Sequence, residues 1–172
     1  MIRNRLIASA MAVGTVAGVA ACSGKSAPSL ESFLSGSWHC VDQNPASDSS
    51  STPLDAQLSL GLGSWSLKEA GSTETIRGSW AIAGGRLRVL VTEDDTDSVD
   101  PVAVVGTEYD IAGLPATATE PSTASGNVVS SVVGSTDTPT TTSLRVDYAD
   151  GHIVITLAGE NDVNETISCS AS

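Results

Sequence analysis

The chain has 172 residues, a net charge of −12 and 16% charged residues, a length that suits one ordinary domain with extensions. The acidic balance opposes binding to nucleic-acid phosphates. Hydrophobic residues make up 40% of the chain and aromatic residues only 3%, so any core is built mostly from Val, Leu, Ile and Ala, and the abundance of Gly, Ser and Thr favours strands and turns over helices.

Met1-Ile-Arg-Asn-Arg5 forms a short basic start, and residues 6–21 carry no charge and are rich in Ala, Val and Gly. This apolar stretch is too short and too Ala/Gly-rich for a membrane span. It ends in Val19-Ala20-Ala21-Cys22, which resembles the bacterial lipobox, with Val19 in place of the more usual Leu. The resemblance implies a signal peptide over 1–21, cleavage before Cys22, and transfer of a diacylglycerol to the Cys22 thiol. Palmitate and related chains would then hold the protein on the extracytoplasmic face of a membrane. Two acyl chains suffice for stable anchoring, at ~0.8 kcal/mol per buried methylene. Loss of Arg3 and Arg5 leaves six basic and twenty acidic residues, a net −14, which repels anionic headgroups.

Residues 23–32 are polar and small, with Pro28, and 22–33 read as a flexible tether, with at most one short helical turn within 29–35. From residue 34 to 172 short apolar runs alternate with Gly, Asp, Ser, Thr and Pro, which predicts a single all-β domain. Strands are expected at 36–41, 55–62, 65–70, 75–82, 86–92, 101–108, 127–133, 142–148, 152–158 and 163–169. Leu58, Leu60 and Leu62 share one face; so do Leu87, Val89 and Val91, and Leu144, Val146 and Tyr148. Gly63-Ser64, Ala83-Gly84-Gly85 and Ala149-Asp150-Gly151 supply tight hairpin turns. Consecutive short strands with such turns predict an antiparallel up-and-down barrel, or alternatively a β-sandwich. Polar stretches at 43–53, 92–101, 115–126 and 134–141 are expected as loops, the last two Ser/Thr/Pro-rich and mobile.

Gly-Ser-Trp occurs three times, ending at Trp38, Trp65 and Trp80. The pattern resembles the lipocalin-like, or calycin, barrels, in which a Gly-x-Trp on the first strand closes one end. The resemblance implies that Trp38 closes one end and that Trp65 and Trp80 border a cavity for a small apolar ligand at the other. The chain departs from true lipocalins in lacking a second motif with a basic residue over Trp38. Core packing is the competing role for all three rings, because a small barrel is filled by its own side chains.

Cys40 and Cys169 lie on the first and last expected strands of an extracytoplasmic domain, which suits a disulfide across a seam. Trp38 and Cys40 share one face, as do Val163, Ile167 and Cys169. Free thiols or a metal pair are the alternatives, although two cysteines make poor zinc spacing. His39 and His152 are the only histidines, and no nucleophile elbow or metalloprotease helix accompanies them. The run Glu93-Asp94-Asp95-Thr96-Asp97-Ser98-Val99-Asp100 lacks the Gly and terminal Glu of a calcium loop and reads as a solvated acidic loop. The expected function is a non-enzymatic binding module for a small apolar ligand or an envelope partner, anchored by lipid, with no cofactor, metal or nucleic acid. The alternative is a structural or host-interacting envelope lipoprotein without a pocket.

Overall fold

Period-two alternation of apolar residues dictates strands with one buried face, and a computed structural model arranges ten of them into a closed barrel. It describes residues 27–43, 55–95, 104–158 and 164–172. A short helix α1 (Leu30–Leu34) precedes β1 (Gly36–Asp42), β2 (Asp55–Leu60), β3 (Ser64–Glu69), β4 (Ile76–Ala83) and β5 (Arg86–Asp94). There follow β6 (Thr107–Ala112), β7 (Ser122–Val132), β8 (Thr140–Ala149), β9 (His152–Leu157) and β10 (Glu165–Ala171). Every strand pairs antiparallel with its chain neighbours, and β1 with β10 closes the ring. Closure removes sheet edges, the weak point of any open sheet. The architecture is the up-and-down barrel expected, with ten strands where lipocalin barrels have about eight.

Inward positions follow the alternation read from sequence. Leu58 and Leu60, Leu87, Val89 and Val91, and Leu144 and Tyr148 are all buried, and Val146 packs against them. Leu62 does not join its neighbours: it is 88% exposed. The loop is Leu62-Gly63 rather than Gly63-Ser64, because the Gly61 amide donates to the Ser64 carbonyl (2.9 Å) and Gly63 takes φ 69°. The other two hairpins turn on Gly84-Gly85 and Asp150-Gly151, each with both residues at positive φ, the backbone that matches strand twist.

Two strands lie elsewhere than expected. The 101–108 strand is displaced to Thr107–Ala112, since Val104-Val105-Gly106-Thr107 forms a turn, with the Thr107 amide donating to the Val104 carbonyl (3.0 Å) and Gly106 at φ 89°. Residues 101–103 lie outside the described residues. β7 begins at Ser122, inside the stretch expected to be a mobile loop. There the positions opposite the apolar Leu144 and Val146 are Gly126 and Ala124, too small to register as a hydrophobic run.

The β2–β3, β4–β5, β6–β7 and β8–β9 connections share one rim, and α1 closes it. Ser29 caps the helix, its Oγ accepting from the Ser32 amide at 3.2 Å. Leu30 donates its amide to Ala116 (3.1 Å), Ala118 to Pro28 (3.0 Å), and the Phe33 ring meets Tyr148 edge-on at 5.0 Å. Leu30, Phe33 and Leu34 are buried. Leu30 and Phe33, expected within a flexible tether over 22–33, therefore belong to the barrel's cap; residues 22–26 lie outside the described residues.

Candidate functional site

The first and last strands meet as expected. Cys40 and Cys169 are directly opposed register partners, fully buried and disulfide-bonded, with Cα atoms 4.1 Å apart. Ile167 shares the inner face with Cys169; Val163 lies outside the described residues. The bond sits on the β1–β10 seam that closes the ring, so it staples the longest-range strand pairing in the fold.

All three tryptophans point into the barrel and are at most 4% exposed. Trp38 opposes Leu58 and Trp65 opposes Leu60, on either side of β2. The two rings thus lie one inward layer apart rather than at opposite ends, which corrects the placement of Trp38 at a far end. The Trp38 Nε1 is buried without a hydrogen-bond partner. The Trp65 indole donates to the Leu90 carbonyl at 3.2 Å, beside the register shift between Arg77 and Gly78. It lies over Gly78, where a Cβ would run into both the Leu90 carbonyl and the Trp65 ring. Trp80 donates to the carbonyls of Gly61 (2.8 Å) and Ser64 (3.0 Å), pinning the β2–β3 hairpin. With Tyr109, Leu58, Leu87, Ile111, Ile153, Ile155 and Ile167 each under 2% exposed, these rings fill the middle of the barrel with side chains. Burial in this apolar interior pushes the Tyr109 hydroxyl well above the ordinary phenol range.

An open groove of about 430 Å³ lies on the outer wall across β2 to β5. Ser59, Ser64, Ser66 and Thr92 supply hydroxyls, and Gly61 and Gly78 keep it shallow-walled. Trp65 borders it; Trp80 is not among its lining residues. Arg77 flanks the groove and bonds Asp95 and Glu93, the latter at 3.3 Å. The hydrogen bond that Arg77 donates to Asp95 and the charge of that carboxylate, with Glu93 adding less, raise the guanidinium pKa still further. The arrangement offers polar, nearly neutral hydrogen bonding rather than an apolar slot.

The histidines stand apart from each other. His39 lies on the outer wall, with Nε2 2.7 Å from Asp55 Oδ1 and both side chains exposed; His152 is exposed at the start of β9. Among the described residues no serine hydroxyl is hydrogen-bonded to either ring, and no group of three or more His, Cys, Asp or Glu is placed to hold a metal. Glu93, Asp94 and Asp95 of the acidic run extend and follow β5; residues 96–100 lie outside the described residues. So do Cys22 and the whole of the lipobox. Among the described residues no helix is long and apolar enough to cross a membrane.

Sequence reasoning missed one feature. Val104-Val105-Gly106-Thr107 is matched by Val132-Val133-Gly134-Ser135, where Ser135 donates its amide to Val132 (3.0 Å) and Gly134 has φ 81°. Both are type II geometry, glycine taking the position that demands positive φ. The Val133 amide donates to the Gly106 carbonyl at 2.9 Å, so the turns lie side by side. The signal was a twice-repeated Val-Val-Gly followed by a hydroxyl residue, hidden because adjacent valines read as strand.

Comparison of the chain with protein-family models, with curated proteins and with solved structures gives no match.

Proposed function

We propose that this is a lipid-anchored, extracytoplasmic barrel that acts without catalysis and binds an envelope partner through its outer surface. The observation that carries the reading is the filled interior. Trp38, Trp65 and Trp80, the residues a lumenal ligand would need, are buried among side chains, and two of them spend their indole N–H groups on the barrel's own carbonyls. A ligand carrier keeps a lined cavity of several hundred cubic ångströms for its cargo. The lipobox resemblance at Cys22 supplies the anchor and the address, and the charge of the mature chain argues against nucleic acid as a partner.

The outer groove favours a second reading, a small polar ligand held between the serines of β2 and β3 and the Arg77–Glu93 pair. A fluorescent fatty-acid analogue titrated into the protein tests the main reading against a lumenal carrier. Trp80→Ala and Trp38→Ala should both destabilise the barrel, and the wild type should show no saturable probe uptake. Saturable uptake by the wild type, weakened by a folded Trp80→Ala variant, would restore the small apolar ligand.

A further inference from the structure

We infer that the rim bearing the twin Val-Val-Gly turns is a docking surface for a basic protein partner, presented away from the membrane. The orientation rests on the lipid-anchored reading above; the chemistry of the surface does not.

Turn tips are ordinarily polar, since they project into water. Here Val105 is 54% and Val133 64% exposed, with Val104 and Val132 at 38% and 39%. The backbone bond from Val133 to Gly106 and the pairing of Thr107 with Val132 hold the two turns together. The four side chains therefore form one apolar patch on a rim fixed by a closed sheet. Such a patch is smaller than the roughly 800 Å² that each partner contributes to a stable interface. It has the size of an apolar centre, which needs a polar rim around it.

The rim is acidic. Residues 104–139 contain no Lys or Arg. Glu108 follows the first turn, Asp137 follows the second and is held by the Ser135 hydroxyl at 2.9 Å, and Asp94 ends the adjacent β5. Arg77, two strands from β6, is already bonded to Glu93 and Asp95, and Lys68 lies on β3, three strands from it. Negative charge around the valines disfavours an anionic bilayer and a second copy of this acidic chain, and it attracts a cationic surface.

The chain's own geometry agrees. Its first described residue, Ala27, leads into α1 at the opposite rim, five residues from Cys22. Five residues reach at most about 17 Å. The helix-capped rim thus stays next to the lipid, and the valine rim stands about a strand length farther out. The occupant is a protein segment with an apolar side chain between basic ones.

The test uses the full lipidated protein in phosphatidylcholine nanodiscs and two immobilised synthetic peptides, one alternating Val and Lys and the other alternating Val and Glu. The Val-Lys peptide should bind saturably and the Val-Glu peptide should not. V105S/V133S, which alters no charge, should weaken binding at least about tenfold. E108Q/D137N should weaken it too, and L62S on the opposite rim should leave it unchanged. Melting curves of V105S/V133S and L62S should match the wild type, because these side chains are exposed. Equal binding by V105S/V133S overturns the proposal. So does valine-dependent association with plain phosphatidylcholine vesicles, or valine-dependent dimerisation in sedimentation. A protein found not to be lipidated would remove the orientation and leave the peptide result intact, so the two failures are distinguishable.

Discussion

Breaking the Cys40–Cys169 bond should be the single most damaging covalent change to this barrel. The bond joins residues 129 apart in sequence and directly opposed in register on the closing seam. Without it, β1 and β10 must find each other from the two ends of an unfolded chain. The chain-entropy relation for a loop of that length gives about 5 kcal/mol of stabilisation at room temperature. For a domain of this size each kcal/mol moves the midpoint by about 2–4 °C, so the loss amounts to about 10–20 °C. The assay is thermal unfolding by circular dichroism for oxidised wild type, reduced wild type and Cys40→Ala/Cys169→Ala. Both sulfurs are fully buried, so reduction has to be carried out in denaturant before refolding. The reduced protein and the double variant should melt within a few degrees of each other, far below the oxidised form. A shift under about 2 °C in both would refute the account of the seam, as would two free thiols in protein purified from the envelope.

Further outcomes follow from the interior. Trp38→Phe should cost less than Trp80→Phe by about 1 kcal/mol in denaturant stability, because Trp38 loses a donor without a partner while Trp80 gives up its bonds to the Gly61 and Ser64 carbonyls, of which only the second keeps the Gly61 amide; equal costs would contradict this. Gly78→Ala should destabilise by about 1–3 kcal/mol and change Trp65 fluorescence, since the new methyl meets the Leu90 carbonyl and the indole. Unchanged stability would show that the β4 bulge has room. Tyr109 ionises above the ordinary phenol range when folded. Its contribution to stability is therefore present below about pH 10 and lost as pH rises past that value, where the unfolded chain ionises. Phenolate absorbance should show Tyr109→Phe weakening this alkaline loss, and an identical alkaline profile would refute it.

The elements legible in the sequence were those in which large apolar residues alternate. β5, with Leu87, Val89 and Val91 inward, and β9, with Ile153 and Ile155 inward, were placed within two residues of their ends. Cysteines on the outermost strands pointed to the seam because a barrel must join its first strand to its last. Failures came where size or backbone, not hydrophobicity, decided. β7 presents Ala124 and Gly126 inward, so its first half looked like loop. Val104 and Val105 looked like strand because the glycine after them forces a turn that hydropathy does not encode. Leu62 looked like core because alternation cannot tell a strand's last residue from its hairpin's tip. The candidate site was least legible of all. Trp65 and Trp80 were visible as residues, but only three-dimensional neighbours show that their indoles bond the barrel itself, and the outer groove is made by serines and glycines dispersed over several strands.

The most direct measurement of the central claim is the intact mass of the protein extracted from membranes, compared with a Cys22→Ala variant. A lipid-anchored barrel predicts a chain that starts at Cys22 and carries a diacylglycerol on its sulfur. It also predicts that the variant is released from membranes or retains residues 1–21 without lipid. A wild-type protein found soluble and unacylated, or a variant that keeps its palmitate label, would contradict the account.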